Sequence, residues 1–159
     1  MQRINLILAH DLYVQNIQKN SETEKDWAYC RHDIVHFMDV ARIAYILNLE
    51  RGLGLCKELI YAAAVLHDIT KWRQIANNEP HNETALEPAE TILTDCGFTP
   101  AEIKLILDAI LHHRKGTSSD HLAQIIFEAD KLSRTCYYCT FDKATCNWDL
   151  KQKSQQLRY

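Results

Sequence analysis

One stretch constrains this chain more than any other: Leu59-Ile60-Tyr61-Ala62-Ala63-Ala64-Val65-Leu66-His67-Asp68. An apolar run of this kind reads as a buried helix, and it closes on an adjacent imidazole and carboxylate. Burying either group without a partner costs free energy. A cation satisfies both, because it takes neutral imidazole and ionised carboxylate together. The fold must then deliver further ligands to this helix end. Two other His-Asp dipeptides, His10-Asp11 and His32-Asp33, close no such apolar helix and read as surface pairs.

Composition narrows the class. A chain of 159 residues fits one domain with a single core, expected to span 1–159 with a Cys-rich tail, 136–159, packed on it. A net charge of −3 offers no bulk attraction to nucleic acid or an acidic membrane, so neither is expected as a partner. No apolar run reaches the ~20 residues that span a bilayer. No signal-peptide pattern opens the sequence, so a cytoplasmic location is expected. The six cysteines then read as thiols or metal ligands rather than a disulfide framework. With only four Gly and three Pro, the expected fold is all-α, with about six or seven helices.

Helical spacing sets the elements in order. Residues 2–19 read as one helix. Ser21-Glu22-Thr23-Glu24 has the form of a capping box that starts a short helix through Trp27. A helix is expected from Asp33 to Leu49, with His36, Val40, Ile43 and Leu47 on one face. The opening stretch belongs to a helix over 56–70, followed by a loop to Pro80 and His81 and a helix from Glu83 to Cys96. Thr99-Pro100-Ala101-Glu102 is a strong start signal, and Ile103, Ile106, Ile110 and His113 share the stripe of the helix it opens. His112 falls about 100° away and faces partly outward. Ser119 or Asp120 caps the last helix, where Asp130 lies one turn after Ile126.

Six polar residues thus point inward, only His67 and Asp68 from the same element: His36, His67, Asp68, His81, His113 and Asp130. Singly, each reads as a hydrogen-bonded core group; together each would need its own buried partner, whereas one or two shared cations satisfy them all. The imidazole–carboxylate mixture suits Fe, Mn, Co, Ni or Zn.

The order His36, His67-Asp68, Asp130 resembles the H…HD…D pattern of the HD superfamily of metal-dependent phosphohydrolases. The local contexts agree: His36-Phe-Met-Asp-Val40, Ala63-Ala-Val-Leu-His67-Asp68-Ile-Thr-Lys71 and Glu128-Ala-Asp130-Lys-Leu132. The resemblance covers about residues 30–135 and implies an HD-domain helical bundle. His81 and His113 match the additional histidines of a branch that holds two metal ions and includes hydrolases of diadenosine polyphosphates. The resemblance implies hydrolysis of a nucleotide or a related small phosphate ester or anhydride by metal-activated water. Asp68 would be ligand and catalytic group. Lys71 would be a catalytic and phosphate-binding cation, against the plainer reading of a lysine at a helix end. Arg114 and Arg134 are further candidates for binding substrate, weighed against solvated surface arginines. Two alternatives stay open: a nucleotide-binding metal sensor without turnover, and a di-iron oxygenase.

The tail departs from those hydrolases. Cys136, Cys139 and Cys146 form a C-x2-C-x6-C set, and a structural site needs four ligands. Cys30 is the candidate fourth. It precedes His36 by six residues, as Cys136 follows Asp130 by six, so antiparallel helices meeting at one metal would carry both cysteines to the same side. Zinc or an iron–sulfur cluster would suit such a set, against a plain reading of reduced, partly buried thiols.

Overall fold

A computed structural model describes residues 1–26, 30–140, 146 and 156–159, and every regular element among them is helical. The first expected helix is two: α1 (Gln2–Ala9) and α2 (Asp11–Thr23). His10 separates them in an extended conformation, where its Nδ1 accepts from the Leu12 N–H at 3.2 Å. An imidazole thus caps α2 in place of the usual hydroxyl or carboxylate.

The capping box expected at Ser21 does not form. Ser21, Glu22 and Thr23 are the last turn of α2, and the Thr23 hydroxyl donates backward to the Lys19 carbonyl at 2.7 Å. Ser21 is therefore helical, where an N-cap must be extended, and Glu24, the other half of the box, spends its carboxylate on the His32 N–H. Trp27, where that helix was expected to run, lies outside the described residues.

Next come α3 (Ile34–Glu50), capped by Asp33, and α4 (Lys57–Leu66). The latter stops short of residue 70: His67 to Thr70 form turns, with the Lys71 N–H donating to the Asp68 carbonyl at 3.0 Å. Helix α5 (Lys71–Asn77) starts there and ends on Asn78, whose φ of 59° is left-handed. The helix expected over 83–96 divides at Ala85 into α6 (His81–Thr84) and α7 (Leu86–Asp95). Gly97, at φ 77°, ends α7. The full capping box of Thr99 and Glu102 opens α8 (Pro100–His112), and Asp120 caps α9 (His121–Leu132). A 3-10 turn, Cys136–Tyr138, follows. Seven of the helices have eight or more residues; α5 and α6 are shorter.

Helix α3 lies at the centre against α4 and α9; α8 packs on both of those, and α7 covers α8. Phe37, Val40, Ile60, Leu66, Ile106, Ile110 and Ile126 are completely buried where these helices meet. On the other side, α2 clamps the turn after α4. Asn20 donates to the Asp68 carbonyl at 3.0 Å and accepts from the Trp72 N–H at 2.8 Å, while Asn16 accepts from the Trp72 indole N–H at 2.9 Å. The extremities are held by charge. Arg3 makes a two-pronged bond to Glu102 at 2.9 and 3.0 Å and another to Glu58 at 2.9 Å. No described helix is long and apolar enough to cross a membrane.

Two outcomes follow for stability. Phe37 lies beneath the His36 and His67 rings, at 5.7 and 5.4 Å between centroids, so Phe37→Ala should cost about 3–5 kcal/mol in urea denaturation. The hydrogen bond from Arg3 pushes the Glu102 carboxyl down to about 2, from an ordinary 4.5. A depressed carboxyl stabilises the fold above its unfolded value and loses that contribution as pH falls through its folded value. Arg3→Ala should therefore lower stability at pH 7, and the deficit should shrink between about pH 4.5 and about pH 2, read from melting temperature against pH.

Candidate metal centre

The end of α4 places His67 and Asp68 at the bottom of the centre, and neighbouring elements bring the other groups to them. His36, in the first turn of α3, and Asp130, near the end of α9, meet them on one side. The Asp130 Oδ1 atom lies 3.4 Å from His36 Nε2 and 3.8 Å from His67 Nε2. His81, opening α6, and His113, just past α8, meet Asp68 on the other side. Its Oδ1 atom lies 2.8 Å from His81 Nε2 and 3.3 Å from His113 Nε2. All six side chains are buried. They form two groups that could each hold a metal ion: His36, His67, Asp68 and Asp130, and Asp68, His81 and His113. Asp68 belongs to both. Among the described residues, no cysteine belongs to such a group.

Hydrogen bonding fixes which ring nitrogen faces inward. His67 Nδ1 donates to the Ala64 carbonyl at 2.7 Å, and His113 Nδ1 to the Ile110 carbonyl at 2.6 Å. His81 Nδ1 contacts the Gln74 Oε1 atom, which can only accept. His36 Nδ1 faces Ser133 Oγ at 3.2 Å, and that hydroxyl is itself donating to the Asp130 carbonyl at 2.9 Å. Each Nδ1 thus carries a proton and each Nε2 faces inward, where the neutral ring offers its lone pair. His81 Nε2 and His113 Nε2 stand only 3.0 Å apart. His67 Nε2, Asp68 Oδ1 and Asp130 Oδ1 are buried without a hydrogen-bond partner; Asp68 Oδ1 is close to His81 Nε2 but not in hydrogen-bonding geometry. Inward lone pairs beside two carboxylates fit a divalent cation set of imidazole and oxygen ligands.

Protonation tells the same story. Burial pushes His36 down to about 3, helped by the Arg134 charge, and pushes His81 down to about 4. Burial also opposes charge on His67, but Asp68 and Asp130 overcome it and push that ring up to about 9. Asp68 and Asp130 sit well below the carboxylate range: burial opposes this, and His67 and His81 outweigh it for Asp68, Lys131 and His36 for Asp130. The site holds its carboxylates ionised and draws positive charge to the midpoint.

Cations surround this core. Lys71 opens α5, half-buried, and donates to Gln74 Oε1 at 3.2 Å. Its pKa is lowered by burial, with Arg134 and Arg114 repelling it while Asp68 and Asp130 attract it. Arg114 is exposed on the turn after α8. Arg134 is buried, and corrects the plainer expectation of a solvated arginine: its Nη2 lies 3.1 Å from His36 Nε2, and its Nη1 donates to the Arg31 carbonyl at 3.3 Å.

His32 is also a correction. It is not a surface residue but a buried one, with Nε2 3.7 Å from Asp68 Oδ2. Buried Glu24 holds it twice, accepting the His32 backbone N–H at 2.8 Å and contacting Nδ1. Helical spacing could not reveal this pair, because His32 lies outside any helix and Glu24 is the C-cap of α2. Lys131 was missed too; its ammonium contacts Asp130 and reaches the His113 carbonyl at 3.3 Å. Of the adjacent histidines, His113 is the buried one. His112 is half-exposed, bonded at Nδ1 to the Asp108 carbonyl at 2.9 Å.

The chain is similar to known sequences over most of its length. A family model described as HD domain matches residues 33–135. A protein of Clostridium beijerinckii, itself described as uncharacterized, is 41% identical over 160 residues, covering all of both chains. No solved structure matches.

Metal binding should stabilise this protein by mass action, about 2.7 kcal/mol at a hundredfold excess over Kd. Chelator-treated protein given Mn²⁺ or Co²⁺ should therefore melt several degrees higher. Asp68→Ala should abolish most of that shift and His113→Ala should reduce it, while His112→Ala should leave it within about 1 °C. A shift lost in His112→Ala and kept in His113→Ala would contradict the geometry.

Proposed function

The chain belongs to the HD domain family, and on that footing we propose that it is a metal-dependent phosphohydrolase acting on a nucleotide or a related small phosphate ester or anhydride. The observation that carries this reading is the pairing of two ligand groups on one carboxylate with cations around them. Asp68 is common to both groups, and Lys71 feels Asp68, Asp130, Arg114 and Arg134 together. A rim of that sign suits a substrate that brings negative charge to the centre. It also favours phosphate chemistry over an oxygenase.

Bound there, divalent cations would lower the pKa of water and neutralise charge on a phosphoryl group. The chain's own residues have separate tasks. His36, His67, Asp68 and Asp130 would hold one ion, and Asp68, His81 and His113 the other. The Asp68 carboxylate, facing both, can accept a hydrogen bond from the attacking water and orient it. Lys71 can meet a phosphoryl oxygen as a point charge, and Arg134 can offer guanidinium donors beside it. Charge on the phosphoryl oxygens grows in the transition state, so these cations would act more strongly there than on bound substrate.

The experiment is phosphate release from a panel of nucleoside mono-, di- and triphosphates, dinucleoside polyphosphates and simple esters, with Mn²⁺, Co²⁺ or Fe²⁺. Release should stop on chelation and in Asp68→Ala. Lys71→Ala should keep the metal-dependent rise in melting temperature and lose about 10- to 100-fold in kcat/KM. Metal-loaded protein that binds nucleotides and releases no phosphate would replace hydrolysis with the sensor reading.

A further inference from the structure

Glu24 and His32 form a buried pair beside the centre that belongs to neither ligand group. A buried carboxylate and imidazole are a costly way to hold two segments together, and apolar side chains would do so at least as well. His32 is nevertheless fixed at several points. Its backbone N–H and its Nδ1 each meet one Glu24 oxygen, so the whole carboxylate is spent on this one residue. Arg134 Nη1 donates to the carbonyl of Arg31, just before it, at 3.3 Å. The His36 ring stands edge-on to it, with centroids 5.7 Å apart. The remaining ring nitrogen, Nε2, points at the centre and lies 3.7 Å from Asp68 Oδ2.

The Glu24 contact decides what Nε2 offers. An ionised carboxylate can only accept, so Nδ1 carries the proton and the Nε2 of the neutral ring is an acceptor. Burial lowers the pKa of this ring against the opposite pull of Glu24 and Asp68, and Arg134 and Lys71 lower it further. Two acceptors thus face each other across 3.7 Å, too far for a direct hydrogen bond. A polar gap of that width suits one water, whose two O–H bonds can go to the two acceptors.

We propose that His32 is a catalytic residue of the hydrolase, an inference that rests on the hydrolase reading: with Asp68 it holds the attacking water by both O–H bonds. Glu24 is the positioning residue that fixes the tautomer of His32. A water held by both protons turns its lone pairs away from the two acceptors and leaves them for phosphorus. Its oxygen bonds to phosphorus as the bond to the leaving oxygen breaks, and the proton it sheds ends on that leaving oxygen. Arg134, which can meet the phosphoryl group, is bonded to the carbonyl next to His32, so nucleophile and electrophile are brought to one place.

The test is steady-state phosphate release by the full-length Mn²⁺-loaded protein, on the substrate of the panel that the wild type hydrolyses fastest. In His32→Ala, kcat should fall about 100-fold with KM within about twofold, because a misplaced nucleophile slows the chemical step and not binding. The Mn²⁺-dependent rise in melting temperature should remain, since His32 joins neither ligand group. Added imidazole should restore part of the His32→Ala rate and none of the rate lost in Asp68→Ala. Glu24→Gln leaves no cavity and carries the test if His32→Ala does not fold. Its amide can donate to Nδ1, which moves the ring proton to Nε2 and turns the acceptor into a donor, so kcat should fall about 10- to 100-fold. Phosphate release that both variants keep at the wild-type rate would overturn this role and leave the hydrolase reading standing. A lost rate that comes with a lost Mn²⁺ shift and no imidazole rescue would make the pair structural, and would also overturn it. A wild type that releases no phosphate from any substrate would overturn the hydrolase reading and this role with it.

Discussion

Inward-facing imidazole lone pairs and two carboxylates cannot share a dry interior without positive charge among them. That constraint organises the molecule. Each imidazole commits its Nδ1 proton to a carbonyl, an amide or a hydroxyl, so a neutral ring has only its Nε2 lone pair for its neighbours; without a cation, His67 carries the positive charge itself. The acceptors that lock these rings come from the same helices that form the core. Ala64 and Ile110 bond the rings through their carbonyls while their side chains are fully buried. Core packing and ligand orientation are thus one arrangement, which is how a site gains the rigidity that metal binding needs.

The constraint also accounts for the polar clamp around the centre. Asn16 and Asn20 on α2 do not face solvent; they hold the turn that presents Asp68 and starts α5. The chain leaves helical geometry between His67 and Thr70 at this point. A continuous helix would carry Lys71 on with the register of α4. The turn instead lets Lys71 open a new helix against Gln74, which also holds His81. Lys71 and His81 therefore share one amide, and substitution of Gln74 touches both the cationic rim and a ligand.

Much of this was legible in the sequence, for reasons specific to particular residues. His36 lies on the Val40–Ile43–Leu47 stripe, and His113 on the Ile106–Ile110 stripe, so periodicity brings both inside. The start of α8 was legible because Thr99 and Glu102 stand three residues apart and their bonds are local. The illegible parts lack either property. Glu24 and His32 pair across residues with no helical periodicity, and Glu24 mimics the last position of a capping box. The breaks at His10 and Ala85 carry neither Gly nor Pro, and only tertiary packing sets them. Arg134 follows α9 in a turn, where sequence spacing does not tell a buried guanidinium from a solvated one.

The most direct measurement is anomalous diffraction at the manganese edge from crystals of the Mn²⁺-loaded protein. The account predicts two peaks on either side of the Asp68 carboxylate, one bounded by His36, His67 and Asp130 and the other by His81 and His113. Each should lie at bonding distance from Nε2 and not Nδ1 of the rings. The contrary result is a structure with no anomalous peak at Asp68, in which the four imidazoles are satisfied by protein groups and water.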